Sequence, residues 1–253
     1  MSNERKVPTA LTVAGSDSGG GAGVQADLKT FAALGVHGTS AITCLTAQNP
    51  KGVLGVQECR PDMVALQMEA VMKELPPKAI KTGMLYSAAI IRKVAGVLRD
   101  YPRIPVVVDP VMVSTSGAAL LKDSARAVLE KELFPLATLI TPNLDEAGIL
   151  TGTTIREPEE LRECARALHS RYGCAILVKG GHLKGMREAV DLFFDGQNEL
   201  LVSSPFVRGV STHGTGCTYS AAIAACLAHG QDLAKSVELA KEYISEAITQ
   251  WLK

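Results

Sequence analysis

The chain has 253 residues, with 26 basic and 26 acidic side chains and therefore no net charge; 47% of it is hydrophobic and only 4% aromatic. That length is ample for one α/β domain with a large core. The charge balance, without a basic block, argues against nucleic acid or a membrane surface as partner, and so few aromatic rings argue against a stacking platform for single strands.

Strand and helix patterns alternate along the chain. TALTVAG is an apolar strand ending in glycine, and GVQADLKTFAALG a helix with Val24, Leu28, Phe31 and Leu34 on one face, closed by Gly35. TSAITCLTAQ is a strand, and VLGVQEC a short one expected outside the main sheet. PDMVALQMEAVMKEL is a helix with proline in its first turn. Then come strand KAIKTGM, helix SAAIIRKVAGVLRDY, strand IPVVVDP, helix SARAVLEKELF, strand ATLITPN, helix PEELRECARALHSRYG and strand CAILVKGG. EAVDLFFDGQNELLVSS reads as a hairpin turning at Asp195 and Gly196, and helices over 217–229 and 232–250 close the chain. Buried strands separated by helices predict a single domain with a mostly parallel sheet covered on both faces. Ligands of such sheets bind beyond the carboxyl ends of the strands.

The residues at those ends are unusual. The first turn, AGSDSGGGAGVQAD, has five glycines within nine residues. No Gly-Lys-Ser/Thr follows, so it is not a P-loop. Gly21, Gly23 and Ala26 match a dinucleotide fingerprint, but the acid wanted at the end of the second strand is replaced by Gln48 and Asn49. Backbone closing over a small ligand or a phosphate accounts for the turn better. Gln48 both donates and accepts through one amide, which suits a heterocycle with a ring nitrogen beside an amino group. Met84 offers a flat apolar wall or is a core residue. Asp109, at the end of an apolar strand, needs a partner and either holds a metal–phosphate ion or caps a loop. Asn143 and Glu146, three apart, share one face of a starting helix; capping explains the asparagine, and metal-bound phosphate held through water explains both. Lys179 with two glycines brings a cation and bare backbone to a phosphate, or is a charged turn. Finally, STHGTGCTYSAAIAA puts Gly214, Thr215, Gly216 and Cys217 at a helix start, where outward N–H groups and the dipole favour an anion. The combination fits phosphoryl transfer.

These motifs, with TAQNP, KTGML, VVVDPVMV, ITPNLDEA and VKGGH, resemble the hydroxymethylpyrimidine/phosphomethylpyrimidine kinases of thiamine biosynthesis, in the ribokinase-like superfamily. The resemblance runs from Thr9 to the last helix. It implies a three-layer α/β/α fold, ATP and Mg²⁺ as cofactors, and a homodimer. It implies phosphorylation of 4-amino-5-hydroxymethyl-2-methylpyrimidine and then of its monophosphate. By the same resemblance Gln48 reads the pyrimidine, and Gly15, Ala22, Met84 and Val111 line its pocket. Asn143 and Glu146 organise Mg²⁺ and phosphate, with Glu146 acting through water. Gly214, Thr215 and Gly216 form the anion hole, and Cys217 lies beside the reacting hydroxyl. Many sugar kinases of this superfamily carry an aspartate base where Cys217 stands, and a helix start is expected to lower the thiol's pKa. The family's Gly/His-rich tail is missing after ITQWLK, which weakens the expectation of the second phosphorylation.

A pyridoxal-type kinase is the nearest rival reading, and a non-enzymatic vitamin or nucleotide sensor the next. The polar, glycine-bearing segments 113–117 and the 180s are candidate lids. The start of the chain lacks the apolar run and cleavage site of a signal peptide, and no apolar run approaches the roughly 18 residues of a membrane span. Cysteines 44, 59, 164, 174, 217 and 226 lack C-x-x-C spacing. They are expected to be reduced thiols in a cytoplasmic protein.

Overall fold

The structure, a computed structural model, describes residues 7–49, 51–112, 121, 123–181, 183, 188–206 and 214–250. The candidate lid at 113–117 and most of the one in the 180s lie outside them.

The elements follow the alternation in the sequence: β1 (Thr9–Asp17), α1 (Gly23–Ala33), β2 (His37–Asn49), β3 (Gly52–Glu58), α2 (Pro61–Glu74), β4 (Ala79–Thr82), α3 (Ala88–Arg99), β5 (Val106–Val108) and α4 (Asp123–Val128). After them come β6 (Leu139–Ile140), α5 (Leu144–Thr151), α6 (Pro158–Tyr172), β7 (Ala175–Val178), β8 (Glu188–Phe194), β9 (Glu199–Pro205), α7 (Thr215–Ala228) and α8 (Leu233–Gln250).

They form one nine-stranded sheet in the order β3-β2-β1-β4-β5-β6-β7-β8-β9. The strands from β2 to β7 in that order are parallel, and β3, β8 and β9 run antiparallel at the two edges. Two expectations are corrected here. VLGVQEC does not lie outside the sheet: as β3 it pairs with β2 from Cys44–Glu58 to Asn49–Gly52 and closes one edge. The helix read in SARAVLEKELF is regular only over α4; it widens to a π turn over Leu129–Leu133 and tightens to a 3₁₀ turn over Phe134–Leu136. Pro135 is the physical reason, since it has no N–H for the preceding turn and its ring displaces the carbonyl there.

Alternate residues of the central strands face opposite layers. Leu11, Val13, Ile80, Val106 and Val108 pack with Ile90, Val94, Leu129 and Leu161 under α2–α6. Ala10, Ala79, Val107, Leu139 and Leu177 pack with Phe31, Tyr219, Ile223 and Val237 under α1, α7 and α8. Helix α7 is apolar nearly all round, with Ala221, Ala222, Ile223, Ala224 and Ala225 fully buried. Such a helix belongs inside, and its alanines bring its start close to both the sheet and α1. That close approach sets the α7 start beside the carboxyl ends of β1, β4 and β5.

Candidate active site

The thirteen candidate site residues, from Gly15 to Cys217, line one cavity of about 320 Å³ beyond the carboxyl ends of the parallel strands. The glycine turn and the α7 start are locked together there. Gly214 has φ +82, and a Cβ on it would stand 1.8 Å from the carbonyl oxygen of Gly21. Gly23, at φ +58, donates its N–H to Cys217, and a Cβ on it would meet the Gly15 carbonyl oxygen at 2.3 Å. Only glycine allows these approaches.

A residue that sequence reading passed over organises the turn. Asp17 ends β1, and its carboxylate accepts N–H bonds from Gly19 (2.8 Å), Gly21 (3.0 Å) and Ala22 (2.8 Å). It thereby holds the turn that leads into α1, whose N-cap Ala22 makes no side-chain cap. Ser18 ties the same turn to β2: its hydroxyl donates to the Gln48 carbonyl and accepts from the Gln48 N–H, both at 2.8 Å. Gln48, half-buried, has its side-chain Oε1 3.2 Å from the Thr46 hydroxyl. The register of β2 against β3 slips at this residue, between Ala47 and Gln48. Met84 is buried against Gly15, where a Cβ would lie 2.8 Å from Cys44 Sγ and 3.7 Å from Met84 Sδ. Val111 sits at φ +43, a strained conformation for a β-branched residue, on the cavity wall.

The opposite wall is charged. Asn143 caps α5 by accepting the Glu146 N–H at 2.9 Å, while Glu146 Oε2 accepts the Asn143 N–H at 2.9 Å, a complete capping box. Glu146 Oε1 reaches across to the Met112 N–H at 3.0 Å, holding the turn after β5. Burial pushes the Glu146 carboxyl above its usual range; Lys179 and the two amides pull against this, and Asp109 adds to it. Lys179 Nζ pairs with Asp109 Oδ1 at 2.9 Å and lies 3.1 Å from where a Cβ on Gly216 would stand. A cation therefore covers the first turn of α7. The helix's own ladder begins with Thr218 N–H to Gly214 C=O at 2.9 Å, which leaves the amides of Gly216 and Cys217 outside it. Lysine and helix start together make an anion cradle.

Cys217 departs from one expectation. Its thiol is pushed up rather than down, because burial outweighs the Lys81 ammonium; Asp109 and Asp27 add to the rise, and the Gly23 N–H opposes it. Sequence reading also passed over Lys81, and over the buried pair Lys241–Asp191 (2.7 Å) beneath Tyr219 on the same cavity wall. A lysine inside the apolar strand AIKT was the available signal for the first, and an aspartate inside EAVDLFF for the second.

Residues 17–253 match the family model described as phosphomethylpyrimidine kinase. The chain belongs to the phosphomethylpyrimidine kinase family. It is 51% identical over 241 residues to the hydroxymethylpyrimidine/phosphomethylpyrimidine kinase of Rhizobium meliloti, covering 95% of this chain and 90% of that one. It is 50% identical to the thiamine biosynthesis bifunctional protein of Geobacter sulfurreducens, of whose length it spans 48%. The crystal structure of phosphomethylpyrimidine kinase from Clostridium difficile superposes with a TM-score of 0.84 at 42% identity, covering 96% of this chain and all (100%) of that one. An ADP complex of Bacillus subtilis pyridoxal kinase superposes with a TM-score of 0.88 at 35% identity, covering 96% and 92%. This phosphomethylpyrimidine kinase family member thus has the expected ribokinase-like α/β fold. No helix among its described residues is long and apolar enough to cross a membrane.

Proposed function

We propose that the chain transfers the terminal phosphoryl group of ATP to the hydroxymethyl group of 4-amino-5-hydroxymethyl-2-methylpyrimidine, and then phosphorylates the monophosphate to the diphosphate. The observation that carries this reading is the convergence of Gln48 and the Gly214–Cys217 turn on one cavity, each in contact with the Gly15–Gly23 segment. Gln48 pairs with the aminopyrimidine edge, and Gly15, Ala22, Met84 and Val111 enclose the ring. That sets the substrate hydroxyl beside Cys217. The phosphates of ATP lie over the α7 start, where the amides of Gly216 and Cys217 and the Lys179 ammonium meet the charge that develops during transfer. The substrate oxygen attacks phosphorus, its proton passes to the Cys217 sulfur, and the bond to ADP breaks.

Asp109 and Glu146 offer hard oxygen donors, which suit Mg²⁺. Among the described residues no three His, Cys, Asp or Glu side chains cluster tightly enough to hold a metal ion alone. This fits an ion carried in by the nucleotide and met by these carboxylates through water. Mg²⁺ supplies charge neutralisation on the phosphates.

Coupled ATPase assays over hydroxymethylpyrimidine, its monophosphate and pyridoxal test the reading. Turnover with the first two at a kcat/KM well above that with pyridoxal is expected. A preference for pyridoxal, the substrate named for several structural neighbours, overturns it in favour of vitamin B6 phosphorylation. No pyrimidine-dependent ATP consumption at all favours a sensor. We also propose a homodimer and a cytoplasmic location. Exposed Leu54, Met63 and Leu66 at the β3–α2 edge support the first, and six unpaired cysteines fit the second. A monomer mass by light scattering refutes the dimer.

A further inference from the structure

Beneath the α7 start lies an ion pair that the reaction just described does not use. Lys81 and Asp27 are both completely buried. Lys81 Nζ stands 2.9 Å from each carboxylate oxygen of Asp27, and the Thr12 hydroxyl donates to Asp27 Oδ2 at 2.5 Å. The ammonium is packed so tightly under Gly83 that a Cβ there would lie 3.0 Å from it. Stability gives no reason for the arrangement. A buried pair of this kind is commonly no better than apolar residues of the same volume, and it is expensive to break. Its location supplies a reason. Lys81 comes from β4 and Asp27 from α1, the elements against which α7 packs, and Lys81 shares the cavity wall with Cys217.

We propose that Lys81, held by Asp27 and Thr12, is the positioning cation that stabilises the Cys217 thiolate as the acceptor of the substrate's proton. Lys81 keeps its own proton throughout. The hydroxyl proton passes to sulfur, the hydroxyl oxygen forms its bond to phosphorus, and ADP leaves with the electrons of the broken bond. The charged groups facing Cys217 are Asp27 from α1, Lys81 from β4, Asp109 after β5 and Lys179 after β7. Of these, Lys81 has the largest influence in favour of thiolate, opposing the burial that pushes the thiol up. Its own ammonium stays protonated: burial is the largest single influence and would lower its pKa, but the charge and hydrogen bond of Asp27 together with Cys217 and Asp109 outweigh it.

The inference rests on the proposed kinase reading, but its test does not need turnover. The rate of alkylation of Cys217 by iodoacetamide is followed against pH by peptide mass spectrometry in the full-length protein. The variants are Lys81→Met and the double variant Asp27→Asn/Lys81→Met; the second leaves no unpaired charge in the core. In Lys81→Met, alkylation of Cys217 at pH 8 should fall about tenfold, one unit in its midpoint; in the double variant, which also removes the opposing Asp27 charge, it should fall in the same direction but by less. Cys59, outside the cavity, should keep its profile. In the same variants the rising limb of kcat/KM against pH should move to higher pH. An unchanged Cys217 alkylation profile in the folded double variant overturns the proposal. Full turnover in Cys217→Ala overturns the base reading instead, whatever the alkylation shows.

Discussion

Gly214 is where the two halves of the candidate site touch, and replacing it with alanine gives a sharp test. Two costs arise. The residue sits at φ +82, so a side chain there costs about 1–2 kcal/mol in backbone strain. Its Cβ would also lie 1.8 Å from the Gly21 carbonyl oxygen, whereas ordinary contact begins near 3.4 Å. The glycine turn and the α7 start would therefore have to part by the difference, about 1.6 Å. Displacements of roughly 1 Å at a reacting centre cost on the order of 10²-fold in rate. Gly230, just after α7, separates the two costs: its φ is +84, yet nothing lies within 4 Å of an added Cβ. Urea unfolding should show both variants destabilised by about 1–2 kcal/mol, Gly214→Ala somewhat more. Only Gly214→Ala should lose ~100-fold or more in kcat/KM. If its kcat/KM stays within about threefold of that of Gly230→Ala, the contact between the two loops does not set the catalytic geometry, and the reasoning fails.

Three further outcomes follow from the same structure. Gly15→Ala should cost ~1–3 kcal/mol by pressing its Cβ onto Cys44 Sγ, 2.8 Å away; adding Cys44→Ala should restore most of that loss in urea unfolding. Asn143→Ala should lose about 1 kcal/mol of stability with the α5 cap, whereas Asn143→Asp, which keeps the side-chain acceptor, should lose little. Because burial holds the Cys217 thiol above its ordinary value, the thiolate is scarce at neutral pH and grows with pH. With Cys217 as base, kcat/KM should then rise about tenfold per unit from pH 7 to 9, and a flat profile measured in buffers of constant ionic strength would contradict that role.

The sheet was legible because its central strands are short apolar runs separated by helical periodicity, and the site because it sits where such runs end. Gly15 and Gln48 lie in the last residues of β1 and β2, Asp109, Asn143 and Lys179 follow β5, β6 and β7, and parallel pairing carries them all to one edge. What escaped sequence reading depends on partners distant in the chain. Strand β3 has mostly exposed or half-exposed side chains, so its periodicity says nothing of the sheet it joins; its place comes from backbone pairing with β2. Lys81 and Asp27 are 54 residues apart and Lys241 and Asp191 are 50 apart. In each case a lone charge within an apolar pattern is visible, but not the opposite charge that makes it tolerable. The direction of the Cys217 shift escaped for the same reason. A helix start is local and readable, whereas the burial that outweighs it is made by α1, β4 and the glycine turn.

Three lysines on the wall of this cavity are each paired with an aspartate: Lys81–Asp27, Lys179–Asp109 and Lys241–Asp191, with N–O distances of 2.9, 2.9 and 2.7 Å. All three are largely withdrawn from water, and each pair carries a desolvation cost that its own attraction roughly offsets. Concentrating them in one cavity is a poor way to stabilise a fold whose two cores are already well packed. It is an effective way to hold charge in place before a ligand arrives. Each ammonium is fixed by its carboxylate, so the field that a polyanion enters is already oriented and needs no rearrangement, which is the condition under which electrostatic stabilisation is largest. The carboxylates in turn keep the cavity from accumulating positive charge, which would depress a lysine's pKa and cost it its proton. Lys179 shows the consequence most directly. It already lies over the α7 start, 3.1 Å from the position of a Gly216 Cβ, so meeting a phosphate there requires only that the Asp109 contact be shared or exchanged.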